Sequence, residues 1–167
     1  FCGAATGAMT VAENDPNIVY VGTGTACPRG NISAGTGFYK SMDAGKTWKF
    51  IGLPNAGQVA RIQVHPKDAN LVYAAVLGNL FGESDDRGVY RSKDGGETWE
   101  KVLFVSNRTG ASDLSMDVNN PRVLFAGMWQ LEIHTWGRTS GGPGSGLHVS
   151  RDGGLTWQKL TGHGLPN

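Results

Sequence analysis

Charge is scarce in this chain of 167 residues. Asp, Glu, Lys and Arg make up 17% of it, the net charge is +1, and no long run of one sign occurs. Nucleic-acid binders carry more basic and more clustered charge, so no nucleic-acid partner is expected. No run of about 18 apolar residues is present, which excludes insertion into a membrane as a helix. Helical periodicity is missing too. Cysteine is limited to Cys2 and Cys27, and no regularly spaced His/Cys/Asp cluster suits zinc. Neither a metal nor a cofactor is expected. No leader peptide precedes Phe1, so the chain reads as a mature form or a piece of a longer one. Glycine, by contrast, is abundant at 26 residues, with 39% apolar residues and aromatics spread along the chain. That combination suits many short strands joined by tight turns rather than disorder.

A repeat organises the chain. "SMDAGKTW" at 41 returns as "SKDGGETW" at 92 and "SRDGGLTW" at 150, with start-to-start spacings of 51 and 58. The shared pattern is Ser-x-Asp-x-Gly-x-Thr-Trp. Each copy is preceded by a short run ("GFYK", "GVYR", "GLHV") and followed by another ("TWKFIG", "TWEKVLF", "TWQKL"). Further upstream lie "NDPNIVYVGTG", "DANLVYAAVLG" and "NNPRVLFAGMW", each a Pro/Asn/Asp turn leading into a β-branched strand. Before those come "GAMTVAE", "ARIQVHP" and "SDLSMDV", with the alternation of half-buried strands. The reading is all-β: three four-stranded antiparallel units, A to D, over about 7–54, 59–105 and 111–160. Units of that length and strand number are the mark of β-propeller blades.

The repeated octapeptide resembles the Asp-box, or bacterial neuraminidase repeat. That repeat occurs in sialidases, xyloglucanase-type glycoside hydrolases, sortilin-type receptors and photosystem assembly propellers. The wider sequence, including "ACPRGNIS" and "HPKDANLVYAAVLGNLFG", is similar to large exported bacterial propellers of sortilin-like or glycosyl-hydrolase-like type. The resemblance implies that each box is the turn between strands C and D. It also implies a secreted, periplasmic or cell-surface location. The box chemistry is read as structural. Asp43, Asp94 and Asp152 accept hydrogen bonds within their own turn, and Ser41, Ser92, Ser150, Thr47, Thr98 and Thr156 close the rest. Gly45, Gly96 and Gly154 are expected at positive φ, whereas Ala44 suggests that its own position needs none. Trp48, Trp99 and Trp157 are expected to open strand D as packing anchors. A phosphate-binding loop would need Gly where Lys40 stands, and Lys46 becomes Glu97 and Leu155 in the other copies. A calcium loop would need a ligand where the box glycine stands.

In a propeller the A–B and C–D turns share one face and the B–C loops lie on the other. The B–C loops here are long, about 23–37, 78–87 and 130–146, and binding groups usually sit on such loops. Candidate ligand residues are Trp129, Glu132, His134, Trp136 and Arg138 in the third loop, Glu83 and Asp86 in the second, and Arg29 in the first. Trp136 with acid and guanidinium neighbours suits a sugar ring; the alternative is that it packs its loop down. Paired carboxylates in the second loop suit glycosidase chemistry, the alternative being a loop tip with an Asp86–Arg87 ion pair. Among Arg29, Arg61, Arg87, Arg108 and Arg138 no sialidase-like arginine triad is evident. Cys2 and Cys27 fall on one face of the blade map, compatible with a disulfide or with two free thiols.

Three blades are fewer than the roughly four to eight of a closed propeller. The chain is therefore expected to belong to a longer propeller, or to pair with a second copy as six blades. The functional expectation is a scaffold that binds a glycan or protein through the B–C face. The alternatives are part of a sialidase- or xyloglucanase-like glycoside hydrolase, and a sortilin-like peptide-binding or assembly-factor propeller.

Overall fold

The computed structural model describes residues 5–29, 31–162, 164 and 165, and these are all-β. Strands β1 (Thr6–Ala12), β2 (Asp15–Thr23), β3 (Phe38–Ser41) and β4 (Lys49–Phe50) form one antiparallel sheet in sequence order. Strands β5 (Gln58–His65), β6 (Asp68–Gly78), β7 (Gly88–Ser92) and β8 (Glu100–Leu103) form the second in the same order. The third contains β9 (Thr109–Met116), β10 (Leu124–His134), β12 (Gly146–Ser150) and β13 (Gln158–Lys159), and a further strand, β11 (Gly137–Ser140). These three sheets are propeller blades.

That further strand corrects the reading of 130–146 as a loop. β10 continues past its pairing with β9 and β12 and folds back on β11, with Leu131 opposite Ser140 and His134 opposite Gly137. The local cause is visible in the chain. "LEIH" alternates apolar and polar residues, so Leu131 and Ile133 are buried while the intervening positions form the other face. Thr135 and Trp136 form the two-residue turn, which places Trp136 at the tip.

The blades meet along two apolar seams, and β6 serves both. Val72, Ala74 and Val76 share a cluster with Tyr20, Phe38 and Ile51 of the first blade on one side. Tyr73 and Ala75 face Leu114, Leu124 and Met128 on the other. This is the period of two of a strand buried on both faces. A third cluster lies beneath the B–C loops and joins all three blades: Ile32, Leu77, Leu80, Leu131 and Ile133. Burying side chains of this size stabilises by roughly 1.5–3 kcal/mol each. The backbone N–H of Ile133 also donates to the carbonyl of Leu80 at 2.7 Å. The loop face is thus anchored from below.

The three boxes have one geometry. The Ser92 hydroxyl donates to Asp94 Oδ1 at 2.7 Å and accepts the Gly96 N–H at 2.7 Å. Asp94 Oδ1 accepts the Thr98 N–H at 2.9 Å, and Asp94 Oδ2 accepts the Thr98 hydroxyl. The same contacts recur around Asp43 and Asp152. The box glycines have φ of 88°, 98° and 82°. The expectation for Ala44 fails, however. Its φ is 57°, matching 73° at Gly95 and 74° at Gly153. The cause is a tertiary hydrogen bond: the N–H at this position donates to the preceding A–B turn, from Ala44 to Asn17, Gly95 to Asn70 and Gly153 to Arg122. Ala44 therefore adopts a left-handed conformation that a side chain disfavours. The tryptophans precede β4, β8 and β13 by one residue. Trp99 reaches across the first seam, its ring 5.0 Å from that of Phe38 and its indole N–H donating to Ile51 O at 2.8 Å.

These turns carry a pH prediction. The Thr47 hydroxyl, then the Thr47 N–H and the Ser41 hydroxyl, hold the Asp43 carboxyl down to about 2. The corresponding contacts from Thr98 and Thr156 hold Asp94 and Asp152 well below the usual carboxylate range. A folded value below the unfolded one means stability that is full above the ordinary Asp value of about 4 and lost as pH falls through the folded values. We expect the urea midpoint to drop steeply between about pH 4 and pH 2, and less steeply in Asp94→Asn. Identical slopes for both proteins would contradict this account of the turn.

Candidate functional site

Two cavities open among the B–C loops. The larger, about 680 Å³, lies between the first and second blades. Ala34, Gly35, Pro54, Asn55 and Gly57 line it from the first blade side, and Asn79, Phe81, Glu83, Ser84, Asp85 and Asp86 from the second loop. Phe81 is exposed there. Glu83 accepts a hydrogen bond from Asn107 Nδ2 at 2.9 Å and lies 3.6 Å from Arg108 Nε. The titratable side chains of this lining all come from one short loop, 83–86.

The smaller cavity, about 320 Å³, is lined by Arg29, Ile133, His134, Thr135, Gly137 and Arg138. The imidazole of His134 stacks on the Trp136 indole, with centroids 4.8 Å apart and planes 4° from parallel. Trp136 remains 84% exposed. This geometry overturns the alternative in which Trp136 packs its loop down. The hairpin turn leaves the indole outward, stacked on His134.

The remaining candidates separate from these. Trp129 is half-buried against the third apolar cluster and donates to Ser140 Oγ at 3.2 Å, so it braces the β10–β11 hairpin. Glu132 is 6% exposed and accepts Arg108 Nη2 at 2.8 Å. Glu83 and Asp86 lie in the larger cavity; Arg29, His134 and Arg138 share the smaller one.

The Asp86–Arg87 pair weighed from sequence is replaced by a different arrangement. Arg87 is fully buried, and its guanidinium donates to four carbonyls: Arg108 O and Leu131 O from Nη1, Asn79 O and Gly82 O from Nη2, all at 2.8–3.0 Å. The second and third loops are pinned together by this one side chain. Arg61 pairs with Asp113 at 2.9 Å and Arg108 with Glu132. Arg61, Arg87 and Arg108 are therefore all engaged, which leaves Arg29 and Arg138, among the described residues of that set, to share a cavity. Asp85 and Phe81 join the larger cavity. Phe81 carried no signal in the sequence, because its exposure is set by the Asn79 side chain accepting its N–H at 3.0 Å. Cys27 is exposed. The Cys2–Cys27 bridge lies outside the described residues, because Cys2 does.

Among the described residues no group of three or more His, Cys, Asp or Glu is placed to hold a metal ion. Among the described residues no helix is long and apolar enough to cross a membrane.

Comparison with known proteins follows from this architecture. Residues 36–164 match the family model Sortilin-Vps10, described as sortilin, neurotensin receptor 3. The chain belongs to the Sortilin-Vps10 family. It is also similar to a xyloglucanase of Hypocrea jecorina, 27% identical over 93% of this chain and 20% of the relative. Among solved structures, an ancestral GH74 enzyme matches with a TM-score of 0.68 at 22% identity, over 95% of this chain and 18% of that one. YCF48 from Cyanidioschyzon merolae matches with a TM-score of 0.52 at 16% identity, over 94% of this chain and 37% of that one. This Sortilin-Vps10 chain thus spans about a fifth of the xyloglucanase and is a glycoside-hydrolase-like propeller segment.

Proposed function

We propose that this chain binds a glycan through its B–C loop face, outside the cytoplasm, without assembling a catalytic set of its own. The observation that carries this reading is the Trp136 indole, 84% exposed and lying flat on His134, at the tip of a hairpin whose flanking Thr135 and Gly137 line the smaller cavity. An exposed indole costs hydrophobic free energy in water, and a flat supported ring suits the apolar face of a sugar. The guanidinium and imidazole groups of the cavity lining supply hydrogen bonds to hydroxyls. Similarity to a xyloglucanase, an enzyme named for a polysaccharide, supports the same ligand class. Trp136→Ala is expected to lower the affinity of any glycan captured on an array about tenfold or more, as for an aromatic anchor. Unchanged binding would remove the Trp136 site from the account.

A glycoside hydrolase is the second reading, favoured by the three carboxylates of the larger cavity. Glycoside hydrolysis requires two carboxylates flanking the bond, about 5–9.5 Å apart. Here the titratable groups sit on one loop, and the facing residues Ala34, Gly35, Pro54, Asn55 and Gly57 have none. The isolated chain is therefore expected to release nothing from chromogenic glycosides; turnover abolished by Asp86→Asn would reverse that choice.

A further inference from the structure

We propose that the smaller cavity binds an acidic sugar, a uronate unit of a polysaccharide, with its carboxylate held between Arg29 and Arg138. This rests on the glycan-binding reading and adds the charge of the ligand.

The lining contains two guanidinium groups and an imidazole but no carboxylate. Arg61, Arg91 and Arg108 each have an acidic partner. Among the described residues no such partner lies within 4.0 Å of Arg29 or Arg138. The nearest acid in sequence, Glu132, is buried and committed to Arg108, so it does not neutralise the cavity. Two unpaired arginines supplied by two different blades thus converge on one space, in a chain whose net charge is only +1. A guanidinium presents a planar fork that matches a carboxylate. The neighbouring larger cavity is lined by Glu83, Asp85 and Asp86, which disfavour an anion there and steer it to the arginines.

An acidic peptide would use the arginines equally well. The sugar is favoured by Trp136, whose outer face is open and whose inner face is held on His134. His134 links the two features, since it carries the indole and also lines the cavity with both arginines, so a glycan spanning indole and cavity meets an apolar platform and the guanidinium groups together. A peptide side chain would instead need an apolar slot, and Ile133 is the sole large apolar residue of the lining.

The test is calorimetric titration of the chain with an oligogalacturonate and with its methyl-esterified form, which keeps the ring and removes the charge. The acidic form is expected to bind about tenfold or more tightly, since each exposed ion pair contributes modestly, and the preference should shrink with added salt. In Arg29→Met/Arg138→Met the two forms should bind alike, the acidic form losing more affinity than the neutral one; in Trp136→Ala both should weaken together. Both arginines are exposed, so an unchanged urea midpoint will show that the fold is intact. Equal affinity of the wild-type chain for both forms overturns the uronate proposal and leaves the glycan reading standing. Tighter binding of a peptide ending in a free carboxylate than of the oligogalacturonate also overturns it. No binding of any glycan, acidic or neutral, overturns both.

Discussion

Arg87→Met is expected to destabilise the chain by about 3–5 kcal/mol, at the upper end for breaking a buried hydrogen-bond network by a single substitution. The fully buried guanidinium supplies donors to the carbonyls of Asn79, Gly82, Arg108 and Leu131. Methionine fills much of the space but removes the guanidinium donors from all four carbonyls; Arg108 O keeps the Leu131 N–H at 3.2 Å, and a buried acceptor stranded without any donor costs about 1–3 kcal/mol. The sum is reduced by the desolvation cost that Arg87 itself carries. Burial lowers its pKa from the usual arginine value, while Glu132 opposes that shift. Its Nε–H is buried without a partner. Arg87→Lys is expected to recover less than half of the loss, because an ammonium is a point donor and not a fork spanning four carbonyls. Urea unfolding measures both. A loss under about 1 kcal/mol for Arg87→Met would show that the loops are held by the Ile32–Leu80–Leu131 cluster alone.

Gly110→Ala should cost about 2–3 kcal/mol, near the upper end for overpacking. A Cβ at this position of β9 would stand 2.5 Å from Leu77 O, 2.6 Å from Leu77 Cα and 2.8 Å from Leu77 C. All three are backbone atoms of β6, so no side-chain rotation relieves the contact; the second and third blades must separate. Gly127→Ala is the control. Its Cβ would meet Ser112 Oγ at 3.5 Å, an ordinary contact, and the change is expected to lie within about 1 kcal/mol of neutral. Similar losses for both would remove close blade approach as the explanation. Gly7 is a second such position, where a Cβ would lie 2.2 Å from the backbone oxygen of Val59 at the first seam. The glycine richness of the chain thus reflects backbones brought together as well as turns.

Much of this architecture was legible because the box repeats. Three copies of one turn, each between strand-like runs, imply three blades whatever the ligand. What escaped notice depends on contacts between distant residues. Arg87 looks like a loop charge until the carbonyls of 79, 82, 108 and 131 are seen to converge on it. Ala44 looks like evidence against positive φ until its N–H is found on Asn17. The hairpin at 130–140 was hidden by the glycines and prolines that follow it, although the alternation in "LEIH" was a strand signal. Of the candidate site, Arg29, His134 and Arg138 were named from loops far apart in sequence, and the fold places them around one cavity. Trp129 and Glu132 were named with them but are committed to the scaffold by partners distant in sequence, Ser140 and Arg108, which the local pattern does not reveal.

The central claim is that the B–C face carries a glycan site built on Trp136. Glycan-array capture of the intact chain beside Trp136→Ala, with each hit quantified by calorimetry, tests it most directly. The account predicts saturable binding that falls about tenfold or more in the variant at an unchanged urea midpoint. Binding of equal strength by both proteins, or no glycan bound by the wild-type chain, would contradict it.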